Sequence, residues 1–238
     1  MRNCEALTVP IESGAATTTA LVYRDGDSTA GSTLILAHGA GAGQGSAFMV
    51  TFAQALTAHG LQVVTFNFLY AEQGRRLPDR GPLLEACYRA VIELVRSRLT
   101  GRRDIVVIGG KSMGGRIATQ LAAAESALAV DGLVLLGYPL HPPGRPAQRR
   151  DAHLPSVKRP MLFIQGSKDV FGTPAELAGL LGMLSPPATF HVVEGGDHSF
   201  KISGADRVRQ AAVYADMQQT IVSWISKLTR GGATSPLG

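Results

Sequence analysis

The chain has 238 residues, 45% of them hydrophobic and 17% charged, a composition typical of a soluble globular protein with one α/β domain or two smaller ones. Its formal net charge of +5 comes from basic residues scattered in small groups without interleaved aromatic side chains, which argues against nucleic-acid binding. No apolar run approaches the roughly 18 residues of a membrane span and the N-terminus lacks a signal-peptide core, so the expected location is the cytoplasm, without a membrane partner.

Short β-like runs alternate with helical patterns along the chain. The first two runs, 6–12 and 17–24, predict an antiparallel hairpin. Six further runs are rich in Val, Ile and Leu and have the near-continuous apolar character of parallel strands covered on both faces. They span 33–39, 61–68, 104–110, 132–138, 160–166 and 189–196.

Helical periodicity fills the segments between these runs. Phe48, Phe52 and Leu56 recur on one helical face. Thr173 and Glu176 predict a capping box, with a proline at the first helical position between them. The last helix is predicted over 204–229, with its apolar positions at Val208, Ala211, Ala212, Met217, Ile221 and Trp224.

This alternation predicts an α/β fold with a mostly parallel eight-stranded sheet and helices on both faces. We expect a single domain over 1–230 and a flexible tail over 231–238. Only about 21 residues separate the runs that end at Tyr138 and begin at Pro160, which is too short for a large lid domain. In such sheets the functional site lies beyond the carboxyl ends of the strands.

The stretch GGKSMGGR at 109–116 follows the apolar run DIVVI and precedes a helical pattern. Gly-Lys-Ser here fits the end of a phosphate-binding loop, but such a loop needs a glycine where the chain has Ile105. The alternative is a nucleophile elbow, in which Ser112 lies on a sharp strand-to-helix turn between Gly110 and Gly114. We favour the elbow, which makes Ser112 a nucleophile rather than a metal ligand.

Partners for a serine nucleophile occur at two later strand ends. Asp169 is the only carboxylate near the end of the run 160–166, and His198 follows the run 189–196. Because the carboxyl ends of parallel strands share one edge of a sheet, both side chains can converge on Ser112. The order serine, acid, histidine is the one used by this architecture, so we predict a catalytic triad.

Two nearby residues compete for these roles. Asp197 is adjacent to His198, but adjacent residues rarely orient one another's side chains, so we assign Asp197 to loop structure. His38 comes too early in the chain to be the base and is expected to order the first glycine-rich loop.

Two backbone amides are candidates for an oxyanion hole. The N–H of Met113 lies at a helix N-terminus and is predicted to point toward a developing oxyanion. The N–H of Ala40 lies in the loop HGAGAG after the first parallel strand, where the second donor is expected. This chemistry needs no metal and no organic cofactor.

These residues and motifs together resemble the α/β-hydrolases, and more specifically their small dienelactone-hydrolase-like members. GGKSMGGR, GYPLHPPG, QGSKDVFG and GGDHSF are similar to a branch of small bacterial proteins that includes a hydrolase-like subunit of the non-specific lethal histone-acetyltransferase complex. The resemblance covers about residues 5–229 and implies nucleophile, acid and base roles for Ser112, Asp169 and His198. Dienelactone hydrolases carry cysteine at the nucleophile position, so the resemblance does not extend to dienelactone as a substrate.

The expected activity is hydrolysis of a small ester or thioester through an acyl-enzyme formed on Ser112. The expected partner is therefore a small acyl substrate, and the sequence leaves open whether the protein is a monomer or a homodimer. A non-catalytic protein-interaction scaffold, a serine peptidase and a cofactor-free haloperoxidase stay open as alternatives.

Residues that contact the substrate are predicted from their position after strand ends. Tyr70, Arg75 and Arg76 follow the second parallel strand, and His141 follows the fourth. Both loops are expected to emerge at the carboxyl edge of the sheet beside Ser112, where their basic residues either attract an anionic substrate or serve solubility. Lys111, at the variable position of the elbow, is a pocket-edge charge or a plain spacer, and we prefer the spacer. The basic residues are Arg75, Arg76, Arg80, Arg145, Arg149, Arg150, Lys158 and Arg159.

Overall fold

The computed structural model describes residues 4–11, 16–25, 31–101 and 104–231, apart from the side chains of 229–231. Their eight strands form one sheet in the order β1-β2-β4-β3-β5-β6-β7-β8. The strands are β1 (Cys4–Ile11), β2 (Ala16–Tyr23), β3 (Ser32–Ala37), β4 (Gln62–Phe66), β5 (Ile105–Lys111), β6 (Gly132–Leu136), β7 (Met161–Gly166) and β8 (Thr189–Val193).

The sheet is antiparallel at one edge only. β1 pairs with β2 and β2 pairs with β4 in antiparallel fashion, and every other pairing is parallel. The eight predicted strands and the leading hairpin are confirmed. One domain over 1–230 stays a prediction, and the predicted tail, 231–238, lies outside the described residues except for Gly231.

Helices cover both faces of this sheet. The helices are α1 (Ala47–Ala58), α2 (Leu69–Glu72), α3 (Gly81–Arg98), α4 (Met113–Ala124), α5 (Pro174–Leu181) and α6 (Arg207–Gly231), with a one-turn 3₁₀ helix at Leu154–Ser156. The predicted capping box of α5 is confirmed, since Thr173 and Glu176 each accept a hydrogen bond from the other's backbone N–H. The short α2 and the 3₁₀ helix were not predicted, because a single turn shows no helical periodicity.

The apolar core consists of two layers separated by the sheet. Ile35 and Ala37 of β3 belong to the layer covered by α3, α4 and α5, while Leu34 and Leu36 belong to the layer covered by α1 and α6. Alternate residues of a strand point to opposite faces. A strand buried on both faces is therefore a continuous apolar run, which is why the sequence pattern located these strands.

The first turns of α6 differ from the predicted apolar face. Val208 is 79% exposed, and Ala211 and Ala212 are also exposed. Apolar contacts of α6 with the core begin at Val213 and continue through Met217. The helix therefore starts outside the core and reaches it only in its later turns, which a pattern of apolar residues alone does not reveal.

The connection between β6 and β7 carries no lid domain, since residues 137–160 contain only the one-turn 3₁₀ helix. It crosses from the carboxyl end of β6 to the amino end of β7. Arg159 accordingly donates hydrogen bonds to the carbonyls of Ser126 and Val130, which precede β6. The expectation that Lys158 and Arg159 emerge beside Ser112 is therefore wrong.

Candidate active site

Ser112 occupies the sharp turn between β5 and α4. Its backbone has φ 50° and ψ −114°, a conformation that L-residues other than glycine rarely adopt. The flanking glycines are required by close packing: a Cβ on Gly110 would lie 2.3 Å from the carbonyl oxygen of Ala37, and a Cβ on Gly114 would lie 2.4 Å from the same atom. The neighbouring β3 thus presses against both sides of the turn and holds Ser112 in this conformation.

The structure brings together the three residues predicted to form a triad. The imidazole Nε2 of His198 lies 2.9 Å from Ser112 Oγ, and its Nδ1 lies 2.8 Å from Asp169 Oδ2. With Nδ1–H donating to the carboxylate, Nε2 is free to accept the hydroxyl proton of the serine. The side chain of His198 is 20% exposed and that of Asp169 is fully buried. The arrangement can therefore transfer a proton from a nucleophile that is open to the pocket.

Asp169 is fixed by hydrogen bonds from three different groups. Besides His198, Gln165 Nε2 donates to Oδ2 at 2.8 Å and the amide of Phe171 donates to Oδ1 at 2.8 Å. Gln165 is itself buried and also accepts a hydrogen bond from the amide of Tyr138 at 2.8 Å. The sequence reasoning missed Gln165. A polar residue directly after the apolar run MLFI, still within the predicted strand, was a usable signal for a functional role.

The loop that carries His198 is shaped by its neighbours. Asp197 Oδ1 accepts hydrogen bonds from the amides of Ser199, at 2.7 Å, and Lys201, at 2.9 Å. Asp197 therefore has the loop-ordering position expected of it, and the imidazole bonds instead to Asp169 and Ser112. On the other side, the ring of Phe171 lies 4.2 Å from the His198 ring, centroid to centroid, which restricts rotation of the base.

Lys111 connects the nucleophile turn to the loop of the base. Its Nζ donates a hydrogen bond to the main-chain carbonyl of His198 and lies 5.2 Å from the centroid of the Phe200 ring. Burial lowers the pKa of Lys111 to about 8, and the carboxylates of Asp169 and Asp197 partly oppose that shift. The preferred prediction of a plain spacer is therefore wrong, because the side chain makes specific contacts within the site.

The two predicted oxyanion donors face the same pocket as Ser112. Ala40 and Met113 both line it, and within the described part of the chain no group accepts a hydrogen bond from either backbone N–H. The first glycine-rich loop is ordered by His38, as expected: Nδ1 lies 2.8 Å from Gly39 O, and Nε2 accepts from the amide of Phe68 at 3.1 Å. Burial lowers the pKa of His38, which favours the neutral imidazole that this bonding pattern needs.

The pocket above Ser112 has a volume of about 920 Å³ and is bounded by α1, α3, α4, α6 and the loops after β6 and β7. Its walls are largely apolar, with contributions from Phe48, Met49, Phe52, Leu84, Pro139 and Phe171. The charged residues that line it are Asp79, Lys111, Arg116, Arg150 and Lys201. Among the described residues, no group of three or more His, Cys, Asp or Glu side chains is arranged to hold a metal ion.

The four residues predicted to contact substrate do not line this pocket. Tyr70 is fully buried, and its hydroxyl donates to Gly39 O at 3.5 Å, so it supports the glycine-rich loop from behind. Arg75 pairs with Asp79 at 2.6 Å, and Arg76 is exposed. A position after a strand end, which motivated these predictions, does not determine on which side of the loop a side chain lies.

His141, the fourth of these residues, orders a loop. Its Nδ1 lies 2.9 Å from Pro142 O, and its Nε2 lies 3.1 Å from Glu176 Oε1 at the start of α5. The side chain is only 6% exposed. The prediction that His141 contacts substrate therefore has no support from its location.

Comparison with known proteins gives the same fold. A protein-family model described as an alpha/beta hydrolase domain matches residues 30–226. A lidless α/β serine hydrolase from Xanthomonas campestris is 22% identical with a TM-score of 0.71, covering 100% of this chain and 98% of that one. A dienelactone hydrolase from Anabaena variabilis is 21% identical with a TM-score of 0.73, covering 94% of this chain and 97% of that one.

A third structure, Est1E from Butyrivibrio proteoclasticus with ferulic acid bound, is 14% identical with a TM-score of 0.69, covering 91% of this chain and 99% of that one. The resemblance to a subunit of the histone-acetyltransferase complex stays a prediction. None of the helices in the described residues is long and apolar enough to cross a membrane. Because the family model matches most of its length, the chain belongs to the α/β-hydrolase domain family, and this membership supports a hydrolase function.

Proposed function

We propose that the protein is a serine hydrolase that cleaves a small ester or thioester. The observation that carries this proposal is the continuous hydrogen-bonded chain from Ser112 Oγ through the His198 imidazole to the buried Asp169 carboxylate, with distances of 2.9 and 2.8 Å. The hydrogen-bonded series opens into a pocket that is also lined by Ala40 and Met113, whose backbone amides have no acceptor among the described residues.

The proposed reaction proceeds in two halves. His198 Nε2 takes the proton of Ser112 Oγ as the oxygen attacks the carbonyl carbon, and the resulting oxyanion accepts hydrogen bonds from the amides of Ala40 and Met113. The imidazolium then gives its proton to the leaving alcohol or thiol, which departs and leaves an acyl-serine. Water attacks this ester with His198 again as base, and the acid is released as Ser112 regains its proton. Asp169 stabilises the imidazolium in both halves.

The architecture of the pocket supports a small substrate. Residues 137–160 add no lid above Ser112, so this connection supplies no additional domain to enclose a long acyl chain. The pocket lining combines apolar side chains with a few charged groups. We therefore propose short or polar acyl groups rather than long-chain lipids.

The test combines covalent labelling with a substrate panel. A fluorophosphonate probe should label the wild type on Ser112, and Ser112→Ala should lose both the label and turnover of p-nitrophenyl esters by at least about 10⁴-fold. Ser156→Ala, an exposed serine of the 3₁₀ helix, is the matched control and should keep both. In the acyl-chain panel, acetate and butyrate esters should be turned over faster than dodecanoate.

Each outcome separates the proposal from its rivals. Undiminished labelling of Ser112→Ala would assign the nucleophile elsewhere. A wild type that neither reacts with the probe nor hydrolyses any ester or thioester would overturn the proposal and favour the interaction scaffold. Cleavage of peptides in preference to esters would favour the peptidase.

A further inference from the structure

Two arginines line the same pocket as Ser112 without belonging to the proposed triad or oxyanion hole. Arg116 lies on α4, four residues after the serine, and Arg150 lies in the connection between β6 and β7. Both side chains are partly buried. We call these two residues the arginine pair.

The arginine pair is poorly satisfied by the protein itself. Arg116 Nη1 donates to Gln120 Oε1 at 3.1 Å, while its buried Nε has no hydrogen-bond partner in the described chain. The guanidinium of Arg150 makes no hydrogen bond or ion pair with any described residue. Burial and then the like charge of Arg150 lower the pKa of Arg116. Two adjacent positive charges that lack a counter-ion are costly unless a ligand supplies one.

The acidic side chains near the pair are either engaged elsewhere or out of pairing range. Asp79, which lines the pocket, pairs with Arg75 at 2.6 Å, and Asp151 pairs with Arg149. Glu85 exerts an electrostatic effect on Arg116 but forms no ion pair with any described residue. No carboxylate of the described residues therefore forms an ion pair with either guanidinium of the pair.

We propose that the arginine pair, together with Gln120, forms a subsite for a carboxylate carried by the substrate. Guanidinium groups bind carboxylates through two parallel N–H···O bonds. Partial exclusion of water from this side of the pocket strengthens such charge-assisted bonds. Arg116 is about 6 Å further along the helix axis than Ser112. The carboxylate would thus lie several bonds from the scissile carbonyl, and the connecting chain would pass the apolar surfaces of Leu84 and Met113. The inference rests on the proposed function of Ser112.

Matched pairs of esters test this subsite. One pair is p-nitrophenyl hydrogen adipate and its neutral carbamoyl analogue, which differ only in charge on the acyl side. The other is 6-acetoxyhexanoate and 6-acetoxyhexanamide, which differ on the alcohol side. The wild type should prefer the carboxylate in at least one pair, by about tenfold or more in kcat/KM. The pair in which the preference appears tells which part of the substrate carries the charge.

The variants Arg116→Gln and Arg150→Gln should each remove most of that preference, because a lost hydrogen bond to a charged group costs about tenfold or more in kcat/KM. The matched control is Arg145→Gln, which removes the same charge from an exposed position of the same loop outside the pocket. It should leave the preference at its wild-type value.

Binding to Ser112→Ala provides a readout that does not depend on turnover. Isothermal titration with monomethyl adipate should detect binding that Arg150→Gln weakens in the same background. Turnover of neutral esters without any charge preference, or a preference that survives both substitutions, would overturn the subsite and leave the proposed hydrolase intact. Absence of turnover and of probe labelling would overturn the hydrolase, and the titration would then decide the subsite alone.

Discussion

Arginines occur at both edges of the parallel sheet, and their surroundings differ. At the amino edge, Arg96 donates to the carbonyls of Ala129, at 2.6 Å, and Asp104, at 2.9 Å, and to the Asp131 carboxylate at 2.9 Å. At the carboxyl edge, the arginine pair has Gln120 as its one hydrogen-bonding side chain among the described residues. Arg96 thus joins neighbouring loops of the fold to one another, whereas the arginine pair leaves guanidinium N–H groups available at the pocket. The proposed subsite is thus distinguished from a structural arginine by its few hydrogen-bond partners among the described residues.

The largest expected effect at the carboxyl edge is on turnover. Asp169→Asn should lower kcat by about 10⁴-fold, because an amide at this position favours the wrong imidazole tautomer and does not stabilise the imidazolium. Ester hydrolysis and a circular-dichroism spectrum would be measured together, so that a loss of fold is distinguished from a loss of chemistry.

The control for that substitution is Asp197→Asn, one residue from His198. An asparagine carbonyl can still accept the two amide hydrogen bonds that shape the loop, so kcat should change less than tenfold. Equal losses in both variants would contradict the assignment of Asp169 as the orienting acid.

At the amino edge the expected effect is on stability. Arg96→Met removes hydrogen bonds to three groups and should lower the free energy of unfolding by about 2 kcal/mol, measured by urea denaturation. Its kcat/KM should stay within twofold of wild type. Arg150→Met should not lower the unfolding free energy, because its guanidinium bonds to no described residue and its removal relieves the repulsion with Arg116. A larger loss of unfolding free energy in Arg150→Met than in Arg96→Met would contradict the contrast between the two edges.

Lys111 extends the comparison between the two edges. It lies at the carboxyl edge like the arginine pair, but its amine donates a hydrogen bond to the carbonyl of His198. Its pKa is lowered to about 8 in the folded state, whereas the unfolded chain keeps the ordinary value of 10.5. Between these values the unfolded state binds more protons, so this group makes the unfolding free energy rise with pH. Relative to Lys111→Met, the wild type should gain up to about 3 kcal/mol between pH 8 and pH 10.5.

Urea denaturation at several pH values measures this difference. Lys168→Met, which removes an exposed amine from the loop after β7, serves as control and should show no such trend. A difference between wild type and Lys111→Met that stays constant across the window would contradict the burial of the Lys111 amine.

The sequence was sufficient for features that depend on local patterns. Buried parallel strands are continuous apolar runs, and the turn around Ser112 needs glycines that are visible in the sequence. The convergence of Ser112, Asp169 and His198 was also predicted, because the carboxyl ends of parallel strands share one edge of the sheet. Features that depend on how individual side chains and loops pack against distant segments were missed. Gln165 and Lys111 acquire their roles only from partners elsewhere in the fold, and the loop from β6 to β7 places its basic residues at two opposite edges. Sequence position alone carries no information on these contacts.

The exposed segment 143–149 between β6 and β7 also separates the proposed catalytic residues into two groups along the chain. Everything that attacks the carbonyl and holds the oxyanion precedes it, and both residues that move or stabilise the proton follow it. A chain cut at this segment would carry a nucleophile without a base on one piece and a base without a nucleophile on the other. Ester cleavage by two such pieces would then report their reassembly, which makes this segment a natural place to divide the protein into a complementation reporter.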